Sequence, residues 1–183
     1  MNTFITMLRG INVSGQKKIN MEELKALYES LNLKNVKTYI QSGNVIFECS
    51  NSNISELTNK IEKIIKQTFG FSVTVIIRTK NEFKHLIDNN PFYGERKEDI
   101  TKLHVTFLAD TPSDSSLGVI NELEDKPDQL AIAGKEIYLF CPNGYARTKL
   151  TNSYFEKILN VSATTRNWKT VNKLYNLAKE DSE

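Results

Sequence analysis

Apolar and polar positions along this chain change period in a regular order. Thr3–Arg9 is an apolar, partly β-branched run of strand length. Leu24, Leu27, Tyr28 and Leu31 then recur at helical spacing, behind Asn20 and Glu23, a capping-box pair. Val36–Gln41 and Val45–Cys49 read as two strands joined at Ser42-Gly43-Asn44, where glycine and asparagine supply the positive φ of a tight hairpin. Ile54, Leu57, Ile61, Ile64 and Ile65 trace a second helix, capped near Ser52 or Asn53. Phe71–Arg78 is a fourth strand, and Thr79 with Glu82 caps a short helix carrying Phe83, Leu86 and Ile87.

The order β-α-β-β-α-β with a trailing helix is that of a ferredoxin-like unit. Asn90–Thr101 breaks the periodicity with charge and reads as a linker. The order then repeats. Leu103–Ala109 is a strand, and Thr111-Pro112 opens a helix with Leu117, Ile120 and Leu123 inward. Gln129–Ala133 and Ile137–Cys141 form a hairpin around Gly134-Lys135, and a helix carries Tyr154, Phe155, Ile158 and Leu159. A short strand over Val161–Arg166 leads into a last helix with Val171, Leu174 and Ala178. The expected fold is α+β, a tandem duplication of the ferredoxin-like unit with modules at 1–98 and 99–183. Without gaps, Arg78 aligns with Arg166, Thr79 with Asn167, Phe83 with Val171 and Leu86 with Leu174. Several strands are apolar on both sides, as Ile76 shows beside Val75 and Ile77. A sheet with helices on one face only then needs cover on the other. The sister module or a second copy of the chain would supply it, and the oligomeric state stays open between monomer and homodimer.

Composition narrows the class without naming a function. The 183 residues are 39% hydrophobic and 25% charged, an ordinary balance for a chain that buries a core. A net charge of +2 is too mild to imply nucleic acid by itself. No apolar run approaches the roughly 20 residues of a membrane helix, and the N-terminus has no signal-peptide pattern. Cys49 and Cys141 are far apart and lack metal-ligand spacing, so buried thiols in the cytoplasm are the economical reading. No cofactor, metal or membrane partner is expected.

Four polar stretches stand out. In Leu8-Arg9-Gly10-Ile11-Asn12-Val13-Ser14-Gly15, followed by Lys17 and Lys18, the glycines let backbone N–H groups converge on an anion and Arg9 offers a bidentate contact. Turn geometry explains the glycines equally well, and neither P-loop nor dinucleotide spacing is present. In Gln41-Ser42-Gly43-Asn44, a hairpin accounts for Gly43 and Asn44 without a ligand. Arg166-Asn167-Trp168 reads first as structure, with Asn167 a helix cap and Trp168 a core anchor. Gly144 to Lys149 is a basic turn at a helix start. Arg147, Lys149, Lys157, Arg166, Lys169 and Lys173 face only Glu156 in that part of the sequence, an excess that attracts phosphate-bearing partners. Arg9 and Asn12 are expected at the opposite end of the first sheet from Gln41 and Asn44, roughly 17–20 Å away. A joint site then needs the second module to fold across.

LRGINVSG at Leu8–Gly15, YIQSGNVIF at Tyr39–Phe47, NPF at Asn90–Phe92 and TTRNWKTVNKL at Thr164–Leu174 resemble the DUF1697 family. Ser14 stands where the family often has another glycine, and Arg-Thr-Lys at Lys149 where Ser-Lys is usual. The resemblance implies a two-module α+β fold in a cytosolic bacterial protein and brings no established activity.

The expected function is binding, in a basic cleft between the modules. The ligand carries phosphate, as a nucleotide or nucleic acid, and is held by Arg9, Gly10, Asn12, Gln41, Asn44, Arg147, Lys149, Arg166, Asn167 and Trp168. RRM-style recognition is disfavoured, because SGNVIFEC offers Phe47 alone where an aromatic pair is required. A phosphoryl- or acyl-phosphate-processing enzyme using Arg9 is the alternative, and a structural or protein-partner module the third reading. His85 and His104 have no nearby nucleophile signature, so a Ser-His-Asp triad has no support.

Overall fold

The computed structural model describes residues 1–94, 96, 98–121 and 127–180. Leu123 and part of the expected linker lie outside the described residues, and the same holds for the side chain of Leu117. The elements are β1 (Asn2–Leu8), α1 (Met21–Ser30), β2 (Lys34–Tyr39), β3 (Asn44–Cys49), α2 (Ile54–Phe69), β4 (Val75–Thr79) and α3 (Lys80–Asp88). They continue with β5 (Leu103–Leu108), α4 (Asp114–Asn121), β6 (Gln129–Ala133), β7 (Glu136–Phe140), α5 (Asn152–Leu159), β8 (Ala163–Asn167) and α6 (Trp168–Lys179). The protein is a mixed α+β fold with two four-stranded antiparallel sheets and two similar halves.

Local chemistry sets the helix starts. Asn20 accepts from the N–H groups of Glu22 and Glu23, and Asn53 from that of Glu56. At α3 the box is reciprocal: Thr79 Oγ1 accepts from Glu82 N–H while the Glu82 carboxylate accepts from Thr79 N–H, at 3.1 and 2.7 Å. Gly70 ends α2 in left-handed conformation, as Asn160 ends α5.

The strand orders are β2-β3-β1-β4 and β6-β7-β5-β8. In the first sheet Phe4, Leu8, Val45, Phe47, Val75 and Ile77 pack in one core with Leu24 and Tyr28 of α1 and Ile61 and Ile65 of α2. Phe4 and Phe47 stack across the strands at 5.6 Å. In the second sheet Leu108, Ile137, Leu139 and Ala163 pack with Phe155 and Leu159 of α5. The alternate strand positions are buried as well, including Ile5, Met7, Ile46 and Ile76 in the first half and Val105, Phe107 and Tyr138 in the second. The central strands of each sheet are therefore buried on both faces.

The two compact units do not follow chain order strictly. One holds Met1–Lys84 together with the chain from Lys173 onward; the other is His85–Asn172. The end of α3 thus belongs with the second sheet, where Tyr138 Oη donates to the Leu86 carbonyl at 3.0 Å. The end of α6 belongs with the first, where Lys37 meets Glu180.

Corresponding hydrogen bonds recur in the halves. Leu8 N–H donates to Gly43 O and Arg9 N–H to Thr74 O; Leu108 N–H donates to Lys135 O and Ala109 N–H to Ser162 O, all at 2.9 Å. Glu62 accepts from Val75 N–H as Glu156 accepts from Ala163 N–H. Arg78 and Arg166 each donate through Nη1 to the carbonyl of the preceding residue.

The register corrects one expectation. Arg9 and Asn12 are not at the far end of the first sheet from Gln41 and Asn44. In an antiparallel pair the end of one strand lies beside the start of the other, and β1 pairs β3 with Met7 opposite Asn44. The loop after β1 and the turn between β2 and β3 therefore meet.

Candidate functional site

Residues 9–18 leave β1 at that shared end. Five of them from Gly10 to Lys17 have positive φ: Gly10, Asn12, Ser14, Gly15 and Lys17. Asparagine tolerates this region better than serine or lysine, and each side chain there costs on the order of 1 kcal/mol. The loop keeps this backbone because it is fastened at three points. Asn12 Oδ1 accepts from Ile19 N–H at 2.9 Å, and its amide donates to Ile19 O at 3.0 Å and to Gln41 O at 2.8 Å. Asn12 N–H donates to Lys17 O, and Lys17 Nζ reaches Ser72 O at 2.8 Å.

The facing turn is set by packing. At Gly43, φ is +74°, and a Cβ there would lie 2.5 Å from Ile11 Cδ1 and 2.9 Å from Leu8 Cβ. Only a glycine lets this backbone press onto the start of the loop. Asn44 is fully buried and donates to Tyr39 O and Ser42 Oγ, holding the turn closed. Ile40 carries φ +52°, an outlier for a β-branched residue, while 48% exposed. Val13, 59% exposed, is the loop's apolar side chain in solvent. Neither residue was singled out from sequence. Nothing in Tyr-Ile-Gln distinguishes a left-handed isoleucine from the last residue of a strand.

Gly10 and Asn12 have positive φ, and Ser14 and Gly15 are the central residues of a tight turn closed by Gln16 N–H donating to Val13 O at 2.9 Å. Among the described residues, the N–H groups of Gly10, Ser14 and Gly15 donate no hydrogen bond. A Cβ at Gly10 or Gly15 would meet nothing within 4 Å, so space lies open over both. Arg9 is half-buried at the loop's start, and Lys18 and the Gln41 side chain are exposed.

The second unit gathers the other selected residues at the end of its own sheet where β5 starts and β7 and β8 finish. Arg147 and Lys149 are exposed on the turn after β7. Arg166 is buried and donates to Thr164 Oγ1 and Thr165 O; desolvation pushes its pKa down to about 10. Asn167 caps α6 by accepting from Thr170 N–H. Trp168 is buried with its ring 5.4 Å from that of Tyr93. His104 stacks on Tyr145 at 4.7 Å. Burial lowers its pKa below 6.5, and the Lys102 carbonyl, 3.3 Å from Nδ1, opposes that shift.

A depression of 710 Å³ lies at the opposite end of the first sheet, lined by Met1, Thr3, Glu48, Thr79 and Lys80 among others. None of the selected residues reaches it. Among the described residues no group of three or more His, Cys, Asp or Glu is placed to hold a metal ion, and no helix is long and apolar enough to cross a membrane.

Comparison with known proteins agrees with this architecture. A family model described as a protein of unknown function, DUF1697, matches residues 1–138. The solved structure of a conserved bacterial protein from Streptococcus pneumoniae is similar at 25% identity with a TM-score of 0.78, over 97% of this chain and 98% of that one. No curated protein matches the sequence.

Two outcomes follow from the geometry. Gly43→Ala combines a forbidden φ with a steric conflict and lowers unfolding free energy by about 3 kcal/mol, whereas Gly10→Ala, with open space, costs about 1 kcal/mol, as urea denaturation will read. His104 favours its neutral form when folded, so its contribution is complete above pH 6.5 and is lost as pH falls through its lowered pKa. His104→Phe removes that part of the acid-side loss in a pH series of thermal melts.

Proposed function

Given that the chain belongs to the DUF1697 family, whose description assigns no activity, we propose that it is a binding protein for a phosphate-bearing ligand, a nucleotide or nucleic acid. The ligand anion sits on the loop after β1. The left-handed residues Gly10, Asn12, Ser14 and Gly15, with the available N–H groups of Gly10, Ser14 and Gly15, carry this reading. Backbone N–H groups with no partner inside the chain suit an anion, and Arg9 and Lys18 add positive charge in the same segment. Gln41 is the polar side chain from the facing turn. Asn12 and Asn44 hold the loop and the turn in place, a positioning role that their hydrogen bonds support. Arg147 and Lys149, exposed on the second unit, add positive charge that strengthens nucleic-acid binding in low salt. Arg166, Asn167 and Trp168 support the second unit from within.

The scaffold reading belongs to the same proposal. Each half is a ferredoxin-like unit, the two arose by duplication, and the sequence modules meet near residue 98. The strand orders and the recurring hydrogen bonds support this. The protein works in the cytoplasm, where the free thiols of Cys49 and Cys141 persist.

A backbone amide titration tests the binding reading. Inorganic phosphate, a nucleoside monophosphate and a short single-stranded RNA are added in turn. The amide resonances of Gly10, Ser14 and Gly15 move together and saturate, and Arg9→Ala weakens the response about tenfold, the loss of one charged contact. Amides in this loop that stay still with all three probes would sink the proposal.

A further inference from the structure

Ile40 is held in a conformation that its own side chain opposes. Its φ of +52° lies in the left-handed region, which suits glycine or asparagine and is costly for a β-branched residue. Two asparagines fasten the backbone on either side of it. Asn44, from β3, donates through Nδ2 to the Tyr39 carbonyl at 3.0 Å, and Asn12, from the loop after β1, donates through Nδ2 to the Gln41 carbonyl at 2.8 Å. A turn that had only to close would be eased by glycine at position 40. The core gains little from the isoleucine, which is 48% exposed. Strain that neither the turn nor the core requires points to a contact outside the chain.

A second exposed aliphatic side chain belongs to the facing loop. Val13 follows Asn12, whose amide bonds Gln41 O, and precedes Ser14, whose N–H is available to an anion. Gln41, next to Ile40, is exposed, and its side-chain amide both donates and accepts. Both stretches are free of acids: from Met1 to Met21, and from Ser30 to Phe47, every charged side chain is basic.

We propose that Ile40 and Val13 take the base of a nucleotide whose phosphate sits on the loop amides, and that Gln41 meets the edge of that base. This rests on the anion reading of the loop and adds a ligand class to it. A base combines an apolar face with a rim of donors and acceptors. Aliphatic side chains beside a glutamine amide offer the matching pair of surfaces. An acyl chain has no use for Gln41, and a bare sugar phosphate has none for Ile40 or Val13. In a duplex the base faces are stacked and the edges paired, so the occupant is a mononucleotide or an unpaired nucleotide of a single strand.

Titrations of the full chain with inorganic phosphate, ribose 5-phosphate and adenosine 5′-monophosphate, read by backbone amide and methyl resonances, test the assignment. The nucleotide binds about tenfold tighter than ribose 5-phosphate, and the Ile40 and Val13 methyl groups respond to the nucleotide alone. Ile40→Asn puts a residue that tolerates positive φ at the strained position. That variant resists urea at least as well as the wild type, still responds to phosphate, and loses most of the preference for the nucleotide. Val13→Ser weakens the same preference from the facing loop. Loop amides that answer phosphate while the nucleotide binds no tighter than ribose 5-phosphate overturn this inference and leave the anion reading standing. Amides that stay silent with every probe overturn both. Folded variants that keep the full preference also overturn it, and so do phosphatidylglycerol vesicles that engage Ile40 and Val13 where the nucleotide does not. Should Ile40→Asn fail to fold, Val13→Ser decides: an unchanged preference means that no base rests there.

Discussion

The approach of Gly43 to Leu8 and Ile11 is the constraint on which the first half depends. The Leu8 N–H donates to the Gly43 carbonyl, and the glycine backbone lies where no Cβ fits. That contact joins the end of β1 to the turn between β2 and β3, so the loop after β1 starts from a fixed point. Asn12 then ties the loop to the same turn through Gln41 O, and its clamp on the Ile19 peptide fixes where α1 begins. The backbone cost of the left-handed residues is met by these fastenings and by no regular secondary structure. A loop strained and fastened in this way is arranged before any ligand arrives, which is the condition for backbone N–H groups to bind an anion with little reordering.

Much of this architecture was legible in the sequence, for identifiable reasons. Helical spacing in Leu24, Leu27 and Tyr28, and caps at Asn20, Asn53 and Thr79, are local signals, and the structure uses each of them. The matched arginines of the repeat also kept their meaning, since Arg78 and Arg166 are both buried and make the same bond to their own strand. What failed was a long-range inference. The distance between the Arg9 loop and the Gln41 turn was judged along the strands, while the pairing of β1 with β3 folds that distance away. β4 also begins later than expected, at Val75, where its pairing with β1 starts opposite Leu8. Ile40 was invisible for another reason: positive φ at a β-branched residue has no sequence signature, since its cause is tertiary.

The candidate residues also separate by what their polar atoms already do. Asn44, Arg166 and Asn167 spend their hydrogen-bonding groups on the turn, the strand and the helix start. Gln41 and Arg147 are exposed where the chain bends between elements. Residue type alone could not divide these groups, because an asparagine that caps and an asparagine that binds have the same spacing in a sequence.

The halves share a scaffold and differ at two places. After β1 the first half has the glycine-containing Arg9 loop; after β5 the second has Ala109-Asp110-Thr111-Pro112, with the same two backbone bonds but no run of left-handed residues. At the outer strand the difference is reversed. β2 is bulged and carries lysines, while its counterpart β6 is straight and uncharged. Hydrogen bonds that hold each sheet together recur in both halves, so stability is served twice over. Among the described residues the run of left-handed residues and the straight, uncharged outer strand each occur in one half. Features that cost strain, yet are missing from the similar half, are not demands of the scaffold the halves share. They are therefore the places where contact with something outside the chain has the strongest physical argument.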